Sequence, residues 1–395
     1  MNKNEASDIL KIGVFGGTFN PPHIGHIKSS KAAAEQLGLD RLVIVPAGIP
    51  PHKLLPDGTP PAGIRFDMTR SAFIEVENAI VSDIEINDPE TSYTVNTISK
   101  IAKDYQNPEI YLLVGADMYL TLDTWKDCGI LLGSITPAVF CRSSEDIEKV
   151  SRFSQKLHKL YGTETEIIES DIVDISSSEL RKMLPERKGK RYITYTTYEY
   201  IIRSRLYGSK PDWDWLRERA YSMLNPKRIP HVAGCEEEAL RLAERWGVDL
   251  DDAREAAILH DITKKLSPEE NLRLLEEHGI RAVKLAFAEE KLLHAQTGAA
   301  LAKSMFGVSD KVAGAIRWHT TGRAGMSALE KVIYLADYIE PERDFSGVEA
   351  LRTAAYEDID IALKMGLEMS IKDITARGIT PNRTTFDALN ALVIE

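Results

Sequence analysis

Cysteine is scarce in this chain: Cys128, Cys141 and Cys235 are the 3 in 395 residues, and no two of them stand in a CxxC spacing. An odd, scattered set excludes a disulfide framework, gives no support to a thiolate zinc site, and fits a reducing compartment. Long apolar runs are lacking too. The longest stretch, 130–140, is interrupted by Gly133, Ser134 and Pro137, and Met1 to Leu10 has no apolar signal-peptide core. Neither a membrane span nor export is expected, and the chain is assigned to the cytoplasm. Positive charge is also short, with a formal net charge of -11. Nucleic acid and anionic membrane are therefore not expected as partners, because both are bound through basic surfaces. Biased tracts and internal repeats are absent as well, which removes disordered and solenoid architectures.

What is present is an ordinary globular composition, 43% hydrophobic and 28% charged, over 395 residues. A single core usually stops growing at about 250–300 residues, so two domains are expected. The first half alternates near-continuous apolar runs (Leu10 to Phe15, Leu42 to Val45, Ile110 to Val114, Ala138 to Cys141) with helical patterns such as Ile24 to Leu37. Strands covered on both faces read that way, and the βαβα order predicts a doubly wound α/β parallel sheet, Rossmann-like. Near Tyr207-Gly208-Ser209-Lys210-Pro211-Asp212 the pattern breaks. From Trp213 onward helical periods dominate, as in Glu236 to Trp246, Ala253 to Leu259 and Ala295 to Ser304, which predicts an all-α helical bundle. The expected division is residues 1–208, a linker at 209–212, and residues 213–395.

The first chemical signal is Gly16-Gly17-Thr18-Phe19-Asn20-Pro21-Pro22-His23-Ile24-Gly25-His26, directly after the first predicted strand. The glycines permit a tight turn into a helix starting near His23 or Ile24, so backbone amides and the positive helix end converge on one point, as suits phosphate. The string is neither a P-loop nor GxGxxG. Its distinctive part is His23 and His26, three residues apart and so on one face of the first helical turn. Two imidazoles there could donate hydrogen bonds to an α-phosphoryl group as charge builds during transfer. A lone histidine would more simply cap the helix; the HxGH string in this context favours the chemical reading.

These residues resemble the opening of the bacterial nicotinate-nucleotide adenylyltransferases, over about residues 10 to 208. The resemblance implies that Gly16, Gly17, Thr18, Phe19 and Asn20 face nucleotide and that His23 and His26 are catalytic. It extends to Pro50-Pro51-His52-Lys53, where His52 binds substrate and Lys53 faces the ATP phosphates. It includes Gly115-Ala116-Asp117 near the nucleotide, and Ile175-Ser176-Ser177-Ser178-Glu179-Leu180-Arg181, where Ser177 binds and Arg181 contacts the triphosphate. Ser176 and Glu179 independently have capping-box spacing and predict a helix start. Thr94 and Trp125 match positions that hold a nicotinate ring, Thr near its carboxylate and Trp stacked on its face. ATP, with Mg2+, and nicotinate mononucleotide are the implied ligands. Pantetheine-phosphate adenylyltransferases carry TFDPxTxGH in place of the TFNPPHxGH form found here. A class I aminoacyl-tRNA synthetase would need a KMSKS-like loop, and none is evident.

In the second half lie 5 of the 9 histidines: His231, His260, His278, His294 and His319. His278 reads as a helix-end residue. The other four, with Asp261 and Asp337, stand within or beside predicted helices, which a bundle can bring to one centre. They offer nitrogen and oxygen donors and no thiolate, and six ligands suggest two metals in a hydrolytic site. This half resembles the HD phosphohydrolase superfamily and, within it, the symmetrical dinucleoside-tetraphosphate hydrolases, through Leu259-His260-Asp261-Ile262-Thr263-Lys264, Trp318-His319-Thr320-Thr321-Gly322-Arg323 and Ala336-Asp337-Tyr338-Ile339-Glu340-Pro341. The resemblance implies that His231, His260, Asp261, His294, His319 and Asp337 hold two metals, mostly iron; the donor types themselves suit iron, manganese, cobalt, nickel or zinc. It also implies cleavage of diadenosine tetraphosphate to two ADP, with Lys264, Arg323 and Arg343 neutralising the polyphosphate. The HDxxED string of guanosine-tetraphosphate hydrolases is absent. Another nucleotide substrate, or a half that binds metal and nucleotide only to regulate the first, stays open, as does homo-oligomerisation.

Overall fold

The computed structural model describes residues 9–49, 55–88, 92–170, 173–280 and 292–392. The chain forms two compact units, Met1–Ile201 with Arg205–Lys210, and Ile202–Ser204 with Pro211–Glu395.

The first unit is built on β1 (Lys11–Gly17), α1 (Ile24–Leu37), β2 (Arg41–Pro46), α2 (Ala62–Phe73), β3 (Ala79–Val81), α3 (Thr94–Asp104), β4 (Glu109–Gly115), α4 (Ala116–Tyr119), α5 (Cys128–Leu132), β5 (Thr136–Phe140), α6 (Ser144–Tyr161), β6 (Glu166–Ile168), α7 (Ser177–Met183) and α8 (Tyr195–Arg203). The six strands form one parallel sheet in the order β3-β2-β1-β4-β5-β6. Side chains alternate across it. Ile12, Val14, Val43, Val45, Leu112 and Val114 enter one core, while Phe15, Leu42, Ile44 and Leu113 enter the other. Burial on both faces explains the continuous apolar runs of β1, β2, β4 and β5. The three-residue edge strands β3 and β6 carry too short a pattern to register as strands in the sequence. The order reverses between β1 and β4, so the crevice beyond their carboxyl ends is where a doubly wound sheet receives ligands.

The second unit, among the described residues, is helical: α9 (Trp213–Ser222), α10 (Ile229–Trp246), α11 (Leu250–Leu259), α12 (Pro268–Glu277), α13 (Leu293–Phe306), α14 (Asp310–Trp318), α15 (Ala328–Ile339), α16 (Val348–Glu357), α17 (Ile359–Ala376) and α18 (Arg383–Ala391). Ser and Asp caps start α11, α12, α14 and α15, with full capping boxes at Ser267/Glu270 and Ser327/Glu330. Buried Val232, Ala239, Ala256, Leu259, Ile316, Val332 and Leu335 supply the apolar interior. No described helix is long and apolar enough to cross a membrane.

Candidate functional site

In the first unit, Gly16 and Gly17 end β1 and the chain turns through Thr18 and Phe19 into α1. A Cβ on Gly17 would lie 3.1 Å from the Phe19 ring, whereas one on Gly16 would meet nothing within 4 Å, so the Gly16 side is open to a ligand. Phe19 has φ 46, in the left-handed region. Its ring is 2% exposed and packs edge-on against Phe15, His26 and Phe73, so only its backbone is available to a ligand. Asn20 is likewise absorbed: its side-chain amide donates to Thr59 Oγ1 at 2.9 Å and its side-chain carbonyl accepts from Tyr207 Oη at 2.9 Å.

His23 caps α1 and His26 sits one turn on, their ring centroids 3.8 Å apart. The His26 Nδ1 accepts from the His23 amide at 3.1 Å, leaving Nε2 to carry the hydrogen. Burial, with Arg142 beside it, pushes the His23 pKa down to about 4. Burial and the neighbouring His23 hold His26 well below its usual value. Both rings are thus neutral hydrogen-bond donors at pH 7. The glycine between them has a steric reason, because a Cβ on Gly25 would fall 2.9 Å from His23 Nδ1.

Two cavities share Asp117 in their linings, and one of them is lined by both imidazoles. One, of about 570 Å3, is lined by His23, His26, Gly115, Asp117, Arg142 and Lys149. The other, of about 440 Å3, is lined by Gly16, Thr18, Thr94, Asp117, Trp125 and Lys126, and Gly17 borders it too. Asp117, at the start of α4, faces both. Thr94 opens α3, so that helix begins at the second cavity. The Trp125 indole is steadied by a 3.1 Å bond from Nε1 to Thr121 Oγ1, and Lys126 Nζ lies 4.1 Å from the Tyr93 ring centre. The Ser176/Glu179 capping box forms as its spacing predicts. Ser177 donates to the Pro21 carbonyl at 2.8 Å and Arg181 to the Asn20 backbone carbonyl at 2.6 Å, so both pin the loop ahead of His23. His52 and Lys53 lie outside the described residues.

Arg142 and Arg65, like the cavity-lining Lys126 and Lys149, escaped the sequence. Arg142 follows β5 at the cavity mouth, with no motif around it. Arg65 on α2 is 1% exposed and donates to the carbonyls of Thr18 at 2.8 Å, Gly48 at 3.2 Å and Pro60 at 3.3 Å. Burial lowers its pKa, and the three carbonyls show why a cation is kept there. It holds the glycine turn against the loop after β2.

In the second unit the six expected ligands converge. His231 is in the first turn of α10, His260 and Asp261 follow α11, His294 is in the first turn of α13, His319 follows α14, and Asp337 is near the end of α15. His231 Nε2 lies 3.1 Å from Asp337 Oδ1 and 3.8 Å from Asp261 Oδ2. His294 Nε2 lies 3.2 Å from Asp261 Oδ1 and 3.2 Å from His319 Nε2, and His260 Nε2 lies 3.5 Å from Asp261 Oδ2. The far nitrogens are fixed: His260 Nδ1 donates to the Ala257 carbonyl at 2.7 Å and His319 Nδ1 to that of Ile316 at 2.7 Å. His231 Nδ1 donates to Glu340 Oε1 at 3.0 Å. Each tautomer thus turns an Nε2 lone pair toward the centre, as metal-bound imidazoles are held. His260 Nε2 and Asp261 Oδ1 are buried with no hydrogen-bond partner. A borderline divalent cation is the group that such a donor set fits.

Burial pulls the His260 pKa down, but Asp261 and Asp337 outweigh it and the net shift is upward. Burial works the other way on Asp337, yet the His231 contact leaves its carboxyl well below the usual range. Arg228 pairs with Asp261, Arg343 donates to Asp337 Oδ1 at 2.8 Å, and Lys264 Nζ lies 2.9 Å from His294 Nε2. Arg323 is instead engaged with Glu330, by two bonds of 2.9 Å. His278 closes α12, bonded to the Leu274 carbonyl at 2.8 Å.

Two groups of mutually close donors add Cys235 to the expected residues and leave His294 outside both. Cys235 joins His231, His260 and Asp337 in a cluster of mutually close donors, and His260, Asp261 and His319 form a second. A search for CxxC passes over HxxxC, although i and i+4 share a helix face. Glu340 was also overlooked as a supporting residue. Gly234 makes room for it, since a Cβ there would meet Glu340 Oε2 at 2.8 Å.

Residues 14–183 match the cytidylyltransferase-like family and residues 228–342 match the HD domain family. The "Probable nicotinate-nucleotide adenylyltransferase" of Caldicellulosiruptor saccharolyticus is 32% identical over 199 residues, 50% of this chain and 99% of the relative. The "Bis(5'-nucleosyl)-tetraphosphatase, symmetrical" of Halalkalibacterium halodurans is 38% identical over 184 residues, 45% of this chain and 98% of the relative. A crystal structure of a predicted HD superfamily hydrolase involved in NAD metabolism from Clostridium acetobutylicum, at 38% identity, covers 46% of this chain and 97% of that one with a TM-score of 0.44. The chain therefore belongs to the nicotinate-nucleotide adenylyltransferase family through its first half and to the HD domain family through its second.

Proposed function

We propose that the first unit joins ATP and nicotinate mononucleotide to give nicotinate adenine dinucleotide and pyrophosphate. The observation that carries this reading is the pair of cavities that share Asp117, one of them lined by two neutral imidazoles. A phosphate oxygen of the mononucleotide attacks the α-phosphorus of ATP as the bond from that phosphorus to the bridging oxygen breaks, and pyrophosphate departs with the electron pair. The N–H groups of His23 and His26 meet charge developing on the α-phosphoryl oxygens. Arg142 and Lys149 line the same cavity and suit the departing pyrophosphate. Trp125 offers a flat face to the pyridine ring, and the N-terminus of α3 at Thr94 suits its carboxylate. Mg2+ accompanying ATP would neutralise part of the triphosphate charge.

The second unit, in this proposal, hydrolyses diadenosine tetraphosphate to two ADP. The convergence of His231, His260, Asp261, His294, His319 and Asp337, with the Nδ1 atoms of His231, His260 and His319 bonded outward, carries it. Two cations held there would supply Lewis-acid polarisation and a water of lowered pKa. The chain's own Arg228, Lys264 and Arg343 surround the carboxylates and are placed to take up phosphate charge. Water adds to one of the two central phosphorus atoms, the bond to the central bridging oxygen breaks, and the proton balance leaves two ADP.

The test is turnover by the full chain. His23→Ala should lower pyrophosphate release from ATP plus nicotinate mononucleotide by at least about 100-fold with the far-ultraviolet spectrum unchanged; equal turnover would overturn the first assignment. With Fe2+ or Mn2+, ADP should be the sole product from diadenosine tetraphosphate and should vanish in Asp261→Ala. ADP-free products, or activity only on another nucleotide, would overturn the second. No turnover in any metal form, with nucleotide still altering the transferase, would make this half regulatory.

A further inference from the structure

Cys235 lies one helical turn beyond His231 on α10 and is 1% exposed. Its Sγ is 3.7 Å from His231 Nε2 and 3.9 Å from Nδ1. That sulfur and donor atoms of His231, His260 and Asp337 all fall within 4.8 Å of one another. The His260 Nε2 facing this group is buried and has no hydrogen-bond partner. A free cysteine is among the most buried residue types and often only fills space. Space-filling, however, gives no reason for the sulfur to lie among donors of His231, His260 and Asp337, two of them imidazoles whose far nitrogens are fixed by other bonds.

We propose that Cys235 is a ligand, so that one metal position of the second unit is formed by two histidines, one aspartate and one cysteine, and takes a thiolate-accepting cation such as Zn2+, Co2+ or Fe2+ in preference to Mn2+ or Mg2+. This rests on the reading of the His/Asp cluster as a metal centre. Binding forms a metal–sulfur bond and releases the thiol proton to solvent, with no change of oxidation state. The softer donor selects by chemistry rather than by affinity alone. With His260 Nε2 used there, the other position keeps Asp261, His294 and His319, whose Oδ1 and Nε2 atoms lie 3.2 to 3.7 Å from one another, a purely nitrogen and oxygen set, so the two positions differ in the cations they prefer.

The experiment uses the full chain with Cys128→Ser and Cys141→Ser, leaving Cys235 as its one thiol. The metal-free protein is titrated with Co2+ under anaerobic conditions, with bound cobalt measured by elemental analysis. A near-ultraviolet thiolate-to-Co2+ charge-transfer band is expected, rising to saturation as one position fills. Adding Cys235→Ala, or Cys235→Val to keep the volume if Ala does not fold, should abolish the band while cobalt still binds. The preference for Zn2+ over Mn2+ should fall at least tenfold in the same variant. Bound cobalt without the band in the parent protein would overturn the assignment of Cys235 and leave the metal centre standing. No bound cobalt in either protein would overturn the metal reading itself.

Discussion

Histidine serves both halves of this chain, and its neighbours decide what it does. Around His23 and His26 the nearby charge is the Arg142 cation, and burial with that cation keeps the rings neutral. Around His231, His260, His294 and His319 stand Asp261 and Asp337, which gather negative charge at one centre, while Glu340 and the Ala257 and Ile316 carbonyls fix the rings of His231, His260 and His319 from behind. A neutral imidazole without a carboxylate partner is a hydrogen-bond donor for an anion. The same ring backed by a carbonyl or carboxylate, with a second carboxylate in front, is a cation ligand. In the proposed function, one half meets phosphate directly and the other meets it through metal.

The comparison breaks first where it is sharpest. Asp261→Ala removes the carboxylate that lies close to His231, His260, His294 and His319, and the second unit should lose at least one bound metal ion per chain by elemental analysis. The transferase reaction should be untouched, since no donor of the first unit is involved. Next in size is Glu340→Gln, which weakens the His231 Nδ1 bond without touching the centre and should cost about 10–100-fold in metal affinity by competitive chelation. Arg65→Met leaves three carbonyls without their donor. It should destabilise the first unit by about 2–4 kcal/mol in denaturant unfolding, and the transferase KM should rise through the displaced glycine turn.

The smaller effects concern pH. With a folded pKa of about 4 at His23 against roughly 6.5 unfolded, the unfolded chain binds the extra proton between those values. The contribution of neutral His23 is thus complete above pH 6.5 and is lost as pH falls toward 4, up to about 3 kcal/mol in all. An NMR titration of the His23 ring should show its midpoint near 4; a midpoint near 6.5 would remove the donor reading. Gly25→Ala, which presses a methyl on the His23 ring, should lower kcat several-fold with little change in stability.

Much of this was legible in the sequence, for physical reasons. Strands β1, β2, β4 and β5 are buried on two faces and announce themselves as apolar runs, whereas β3 and β6 are three residues long at the sheet edges. The six His and Asp positions stood out because four histidines and two aspartates recur at helix ends. Glu340, Arg65 and Arg142 did not, since each acts through a partner distant in sequence and carries no local spacing. Cys235 lay in plain view one turn from His231, but a thiol beside an imidazole became meaningful only when His260 and Asp337 closed around it. Phe19 and Asn20 belong to the motif and still spend their side chains inside the fold.

The most direct test of the contrast between the two histidine sites is one chelation experiment on the full chain. After dialysis against a strong chelator and return to Mg2+ alone, adenylyl transfer to nicotinate mononucleotide should proceed at the original rate. Diadenosine tetraphosphate hydrolysis should be lost and should return with Fe2+ or Mn2+. Transfer that stays lost in Mg2+, or hydrolysis that survives complete metal removal, would contradict the account.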